Sequence, residues 1–403
     1  MKILVVCQYF HPEQFRVNDI CFELVKEGHE VTVLTGLPNY PKGKVDPRYR
    51  WFKNRQETIS GVGVYRAWLI GRGKGNFRLG LNYISFVLSS LFKVMFMKKN
   101  FDLILVYQLS PVTMAIPGIA AKKLSKKPLV IYCHDLWPES VVSGGVSRDS
   151  KSYRFLLKLS KWIYGNADRI FTSSRLFERY FHSVLGITKD IQYLPVYAEG
   201  IFDEIPFIEK KNQNIDLVFA GNIGEMQSVE TLILAANELK EYGQIKFHIV
   251  GDGSSRKKCE DLANSLELKN ITFYGQYPVS EMPRFYAMAD AFLVTLKANE
   301  FISYTLPNKV QSYMATGRAI IGAVDGETQQ IIEEAACGMC GPAEDYKELA
   351  NNIIRFYEEK DRRRLFGENA RKYYDLNFSK SKYMERLSSL LEKTIKLEET
   401  RNV

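Results

Sequence analysis

Short runs of consecutive apolar residues alternate along this chain with longer stretches whose apolar positions recur at helical spacing. In the first half the runs are Ile3–Cys7, Val31–Thr35, Gly63–Trp68, Leu103–Tyr107, Leu129–Cys133, Ile170–Ser173 and Ile191–Leu194. In the second half they are Leu217–Ala220, Phe247–Val250, Ile271–Tyr274, Ala291–Leu296 and Ile320–Ala323. Runs that are apolar throughout belong to strands covered on both faces, and amphipathic helices between them imply parallel sheets. Each half is therefore expected to be a doubly wound α/β unit, 1–200 and 201–378, joined through the polar stretch Tyr197–Asn214. Residues 379–403 carry Tyr383, Leu387, Leu390 and Leu391 at helical spacing, which predicts a final helix packing back toward the first domain. Two such domains facing each other would place the carboxyl ends of both sheets around a central cleft, where ligands of this architecture bind.

The stretch from Leu79 to Met97 departs from this rhythm. It is largely apolar, but Asn82, several serines and Lys93 interrupt it too often for a membrane span. Arg72, Lys74 and Arg78 precede it, and Lys98 and Lys99 follow it. An apolar helix with a basic fringe fits an in-plane contact with a membrane surface over segment 72–99. A buried helix leading to the strand at Leu103 fits the same pattern.

Charge sharpens the choice. The 403 residues carry +9, with residues 1–200 holding 29 Lys/Arg against 15 Asp/Glu and residues 201–403 holding 26 against 31. A basic half of this kind faces something anionic, a membrane surface or nucleic acid. The basic residues lack the aromatic interleaving of a base-stacking groove, so no nucleic-acid partner is expected. The six cysteines show no framework spacing, and Cys337-Gly-Met-Cys340 lacks a second pair or neighbouring histidines, so no metal site is expected. Met1–Cys7 reads as a first strand, too short for a signal segment, and a cytoplasmic location follows as the expectation.

Candidate chemistry sits just past the strand ends. Leu129–Cys133 is followed by His134 and Asp135, placed to hydrogen-bond a ligand hydroxyl or phosphate or to orient a ring. Glycines follow three strands of the second half: Gly221-Asn222-Ile-Gly224, Gly251-Asp-Gly253 and Gly275. Tight turns of this kind let backbone approach a nucleotide. In Tyr304–Gly317, Pro307 suits a first helical turn, Val310, Tyr313 and Met314 recur at helical spacing, and Gly317 supplies the stop. That helix would open with Asn308 and Lys309, so free N–H groups, the positive end of the dipole and a lysine form an anion site. Arg16, at the start of the first helix, is a further candidate for the anion. No G-x-G-x-x-G, P-loop or D-x-D motif occurs, so neither a dinucleotide nor a Mg²⁺-carrying carboxylate pair is indicated.

These residues carry a family resemblance. Glu27-Gly-His-Glu-Val-Thr-Val-Leu-Thr35 with Pro38-Asn-Tyr-Pro41 resembles the N-terminal signature of GT-B glycosyltransferases of family 4. So do His134-Asp-Leu-Trp-Pro138, Phe219-Ala-Gly-Asn-Ile-Gly224, the run from Phe247 through Ala289-Asp290, and Tyr304–Gly317. The likeness covers essentially the whole chain and is most like the bacterial O-antigen and capsule branch, which includes N-acetylfucosaminyl transferases. It implies a retaining, metal-independent transfer from a nucleotide diphosphate sugar, often UDP-linked, to a polyprenyl-diphosphate-linked glycan, with no cofactor. It implies catalysis around His134 and Asp135. Diphosphate contacts would come from Lys309, Asn308, Thr305, Gly221, Asn222, Gly224, Gln227 and Arg16, and ribose and base contacts from Ser312, Gly251, Gly253, Gly275 and Tyr277. Three departures stand out: the family's two glutamates fall on Tyr304 and Ser312, its Arg and Lys on Asn222 and Gln227, and its first-loop Gly-Gly on Phe15-Arg16-Val17. Two rival readings remain at this point, a nucleotide-sugar epimerase of the same fold and a non-catalytic binding protein.

Overall fold

The computed structural model describes residues 1–142, 145–203, 205 and 214–401. They form two compact units, one of Met1–Ser173, Phe177–Leu194 and the chain from Met384 onward, the other of Ser174–Leu176 and Pro195–Tyr383.

The first unit is built on an eight-stranded sheet. Its strands are β1 (Lys2–Val6), β2 (Glu30–Thr35), β3 (Gln56–Ile59), β4 (Val62–Arg66), β5 (Leu103–Gln108), β6 (Leu129–Cys133), β7 (Arg169–Thr172) and β8 (Ile191–Tyr193), in the order β3-β4-β2-β1-β5-β6-β7-β8. Every pairing is parallel except β3 with β4. Strands β5 and β6 are buried along their whole length, as their unbroken apolar runs require. Helix α1 (Arg16–Lys26) turns Val17, Ile20, Cys21 and Leu24 inward, and α2 (Asn76–Phe96) covers the same unit. The last helix, Lys380–Arg401, buries Tyr383, Met384, Leu387 and Leu391, and Ser388 Oγ donates to Glu27 Oε2 at 2.8 Å within the first unit.

The second unit has a six-stranded parallel sheet: β9 (Ile215–Ala220), β10 (Ile245–Val250), β11 (Ile271–Gly275), β12 (Ala291–Thr295), β13 (Ala319–Ala323) and β14 (Gly338–Gly341), ordered β11-β10-β9-β12-β13-β14. The strand order reverses at β9, which has β10 on one side and β12 on the other. β9 stays paired with β10 as far as Ala220 but with β12 only at Leu217 and Val218. The sheet therefore parts at its carboxyl edge beside Ala220. Of the expected linker, residues 204 and 206–213 lie outside the described residues. Ala198 and Phe202 belong to the second unit's core, with Phe202 stacked on Tyr286 at 4.3 Å.

Two strands have no counterpart in the sequence reading. β3 is a short edge strand that alternates Gln56, Glu57 and Thr58, so it lacks an apolar run, and the Ser60–Gly61 turn, with φ of 48° and 84°, folds it onto β4. β14 is four residues of Gly, Met, Cys and Gly, and holds Cys340 of the C-x-x-C. All six cysteines are free, and among the described residues no three His, Cys, Asp or Glu side chains are grouped to hold a metal.

Candidate active site

In the second unit the glycine turns meet at the carboxyl edge. Gly221 N–H donates to the Val250 carbonyl and Gly251 N–H to the Gly275 carbonyl, both at 2.9 Å, so the turns after β9, β10 and β11 lie side by side. Gly251 has a φ of 144°, and a Cβ there would fall 1.8 Å from the Gly221 carbonyl oxygen. Only glycine allows the two backbones this close. Ile223 N–H reaches the Asp252 carbonyl and Ser255 N–H the Ile223 carbonyl, both at 2.9 Å, which joins the Gly221–Gly224 loop to the Gly251–Gly253 loop. The Asn222 side chain lies over Gly224 and Gly253, close enough to bar a Cβ at either.

Against this edge stands the helix Asn308–Ala315. Pro307 sits at the cap, one residue earlier than the first-turn position expected from sequence, and Gly317 closes the helix with φ of 64°. Pro307 offers no side-chain acceptor, so among the described residues the first-turn N–H groups of Asn308 and Lys309 have no partner. Lys309 Nζ lies 3.8 Å above the Phe219 ring and 3.0 Å from the position a Gly221 Cβ would take. It is buried without a hydrogen-bond partner among the described residues. Burial pushes its pKa from 10.5 down to about 7. An ammonium this poorly served, at the positive end of a helix, is complementary to an anion.

Tyr313 positions that helix. Its hydroxyl accepts from the Ala220 amide at 2.9 Å and donates to the Ala220 carbonyl at 3.0 Å, satisfying the backbone where β9 and β12 have parted. Its ring stacks on Phe292 at 4.1 Å. The helix start is thereby fixed to the residue that precedes Gly221.

The remaining candidates of this unit are placed as follows. Thr305 accepts from Thr328 Oγ1 through its carbonyl at 3.1 Å, in the turn before the helix. The Gln227 carbonyl accepts from Thr295 Oγ1 at 2.6 Å, and its buried amide oxygen has no partner among the described residues. Tyr277 packs on Phe285 at 4.9 Å under the Arg284 guanidinium, 4.4 Å from its ring, which accounts for its burial without a ligand. Ser312 Oγ lies 3.4 Å from Glu199 Oε2, and Tyr304 Oη donates to Glu300 Oε1 at 2.7 Å. Both positions that lack a glutamate thus have a carboxylate beside them, Glu199 from 113 residues away and Glu300 from four.

In the first unit, His134 follows β6 and its amide donates to the Gln108 carbonyl at 3.0 Å. The imidazole lies between Tyr107 and Tyr132, ring centroids 4.1 and 4.0 Å away, and its Nε2 is buried without a partner among the described residues. Burial lowers its pKa to about 3, so the ring is neutral at physiological pH and offers one donor and one acceptor. Asp135 does not orient it. Its carboxyl is held by hydrogen bonds from Ser110 while burial raises its pKa, and no hydrogen bond joins the two side chains among the described residues. The expected His-Asp pair is two separately held groups, because the chain turns between them. Arg16 is the first residue of α1, half-buried, with its charge near Tyr107.

The family described as "Glycosyl transferase 4-like domain" matches residues 14–196, and that described as "Glycosyl transferases group 1" matches residues 201–373. The chain belongs to the GT-B glycosyltransferases. Probable glycosyltransferase WbjE of Pseudomonas aeruginosa is 29% identical over 57% of this chain and 60% of its own length, so that match spans under two thirds of WbjE. Putative colanic acid biosynthesis glycosyl transferase WcaI of Escherichia coli is 25% identical over 80% of this chain and 83% of its own. The crystal structure of Anabaena Alr3699/HepE in complex with UDP shares the fold with a TM-score of 0.71, at 15% identity over 98% of this chain and 100% of that one.

Within this glycosyltransferase the structure brings Gly221, Asn222, Gly224, Gly251, Gly253, Gly275, Asn308 and Lys309 to one sheet edge of the second unit. Sequence reading missed Tyr313, whose helical spacing marks it only as core, and the carboxylates of Glu199 and Glu300, which no local motif announces.

Proposed function

We propose that this glycosyltransferase moves a sugar, an N-acetylated amino sugar, from a UDP-linked donor to a polyprenyl-diphosphate-linked glycan, with retention and without a metal, at the cytoplasmic face of a membrane. The observation that carries the donor half is the buried, unpartnered Lys309 ammonium beside Gly221 at an uncapped helix start. It supports a diphosphate, since two phosphate charges would supply the acceptor that this cation lacks. HepE, which shares the fold, was crystallised with UDP, and this supports uridine as the base. The name of WcaI, a putative colanic acid biosynthesis glycosyl transferase, supports a role in polysaccharide assembly, and the resemblance to the O-antigen and capsule branch supports a lipid-linked glycan as acceptor.

The chemistry then rests on charge. As the bond from anomeric carbon to diphosphate breaks, negative charge grows on the leaving phosphate oxygen. Lys309 Nζ and the amides of Asn308 and Lys309 stabilise it. The acceptor hydroxyl attacks from the same face, and its proton passes to that leaving oxygen, so no protein base is needed. Neutral His134 is proposed to hydrogen-bond a sugar hydroxyl, and Ser312 with Glu199 to meet the ribose. The test is a thermal-shift panel of UDP, GDP, ADP and their sugars, in which UDP compounds should raise the midpoint with concentration. A panel without any response would sink the donor assignment. UDP release that occurs without acceptor would favour epimerisation or hydrolysis over transfer.

A further inference from the structure

Helix α2 is long and apolar enough to cross a membrane by length and composition, yet its polarity is reversed for a helix of a soluble domain. Besides Phe86 and Val94, the residues it buries are polar: Asn82, Ser85 and Ser90. They and their neighbours fasten the extended chain that follows β4. Lys93 Nζ donates to the Arg66 carbonyl at 3.1 Å, and Ser89 Oγ donates to the Trp68 carbonyl. Ser85 Oγ accepts from Ile70 N–H at 2.9 Å, and Asn82 Nδ2 donates to the Ile70 carbonyl at 2.6 Å while its Oδ1 accepts from Gln8 at 2.7 Å. Of the polar interruptions that weaken the helix as a span, Asn82, Ser85, Ser89 and Lys93 thus each have a backbone partner in the first unit.

The opposite face is apolar and open. Phe77, Ile84, Leu88, Phe92, Met95 and Phe96 recur at helical spacing and are all exposed, Phe92 by 66% and Phe96 by 73%. An exposed apolar stripe of this length marks an interaction surface. A second apolar element stands beside it. Trp51 and Phe52, exposed by 88% and 83%, occupy a turn at φ of 51° and 63°, and Arg55 lies 5.5 Å over the Phe52 ring. That turn is tied to α2 through one residue: Arg66 N–H donates to the Arg55 carbonyl, and the Arg66 carbonyl accepts from Lys93.

Charge selects the occupant. Residues 41–100 hold 13 Lys/Arg against 2 Asp/Glu, which leaves 42 against 44 in all the rest. The whole positive excess of the chain thus falls in the stretch that carries these two apolar elements. We propose that the outward stripe of α2 and the Trp51–Phe52 turn dock in the plane of an anionic lipid bilayer, with the flanking lysines and arginines on its headgroups. The helix does not span it, because spanning would strip Asn82, Ser85 and Lys93 of their partners inside the domain. This deepens the membrane part of the proposed function and does not depend on the identity of the donor.

The test is flotation of the full chain with vesicles of phosphatidylcholine containing about one third phosphatidylglycerol, against pure phosphatidylcholine. The wild type should float with the anionic vesicles and be released by high salt. Phe92→Glu/Phe96→Glu should lower the bound fraction roughly tenfold or more with an unchanged melting midpoint, since both side chains are exposed. Lys98→Glu/Lys99→Glu should weaken binding less and flatten its salt dependence. A Phe92→Glu/Phe96→Glu protein that floats like the wild type overturns the proposal. So does a wild type that ignores both vesicles, or one that light scattering shows as a dimer dissolved by this double substitution, which would give the face to a second copy. UDP binding measured on the same samples separates the two readings. A wild type that binds UDP but floats with neither vesicle sinks this inference alone, and a wild type that floats but binds no UDP sinks the donor assignment alone.

Discussion

Replacing Lys309 by methionine should make the empty protein more stable and the donor site useless. Burial moves the Lys309 pKa from 10.5 to about 7. At about 1.36 kcal/mol per unit this corresponds to roughly 5 kcal/mol against the ionised form. The direction with pH follows from proton counts. The unfolded chain keeps the proton up to about pH 10.5 and the folded one only to about 7, so stability rises with pH across that window and the cost is full below it. Lys309→Met should therefore stabilise the protein by up to about 5 kcal/mol at pH 6 in urea denaturation, and the gap should close toward pH 10. The same physics predicts that a bound UDP-sugar restores the ammonium. At pH 8 the empty site is about one tenth protonated, so binding should take up about 0.9 proton, and at pH 6 only about 0.1. Isothermal calorimetry in buffers of different ionisation enthalpy reads this number directly, because a UDP-sugar has no group of its own titrating there. Affinity should fall about tenfold per pH unit above 7 in the wild type and not in the methionine variant. Buffer-independent heats at pH 8, or a methionine variant less stable than wild type at pH 6, would refute the claim that this cation waits unpaired for a diphosphate.

Other substitutions probe the supports of the site. Tyr313→Phe leaves the amide and carbonyl of Ala220 without their shared hydroxyl, and should cost about 2–4 kcal/mol in urea denaturation and weaken UDP binding; a loss below about 0.5 kcal/mol would show that β9 does not need it. His134→Ala should lower kcat/KM about a hundredfold with the melting midpoint retained. Because the imidazole is neutral above its pKa of about 3, the wild-type pH profile should show no limb from His134 between pH 5 and 9, and a limb abolished by His134→Gln would contradict this. Glu300→Ala removes the acceptor of the Tyr304 hydroxyl; it should change discrimination among UDP-sugars by up to about tenfold while the affinity for UDP itself holds, and an equal loss for both would make the pair purely structural.

The residues that local pattern made readable are those whose neighbours in sequence are their neighbours in space. β5, β6 and β9 are unbroken apolar runs because parallel strands are covered on both faces, and the glycines just after β9, β10 and β11 mark where backbones must approach. Lys309 was legible for the same reason, since Pro307 and Gly317 frame its helix. What escaped depends on distant partners. Tyr313 looks like any core tyrosine until Ala220, 93 residues away in the chain, proves to lack a partner in β12. Glu199 meets Ser312 across 113 residues, and a window around either shows nothing. His134 and Asp135 are adjacent in sequence and so read as a pair, but the chain sends one ring between Tyr107 and Tyr132 and the other group to Ser110. Helix α2 left two readings open, a membrane contact or a buried helix, because the usual rule puts apolar residues inside, whereas here the inner face satisfies backbone groups of Arg66 and Ile70.

That separation of faces on α2 has a practical side. The side chains that hold the helix in the domain and those that make it greasy occupy different positions and share none. Outward residues such as Ile84, Leu88 and Met95 can therefore be rewritten to glutamate or lysine as a block, without disturbing a hydrogen bond of the fold. A protein so edited should be purified without detergent and concentrated without aggregation, and it would still present the Lys309 edge for crystallisation with nucleotides. Deleting the helix, the reflex when such a segment is taken for a membrane anchor, would instead strip the partners from the chain after β4 and unravel the edge of the first sheet.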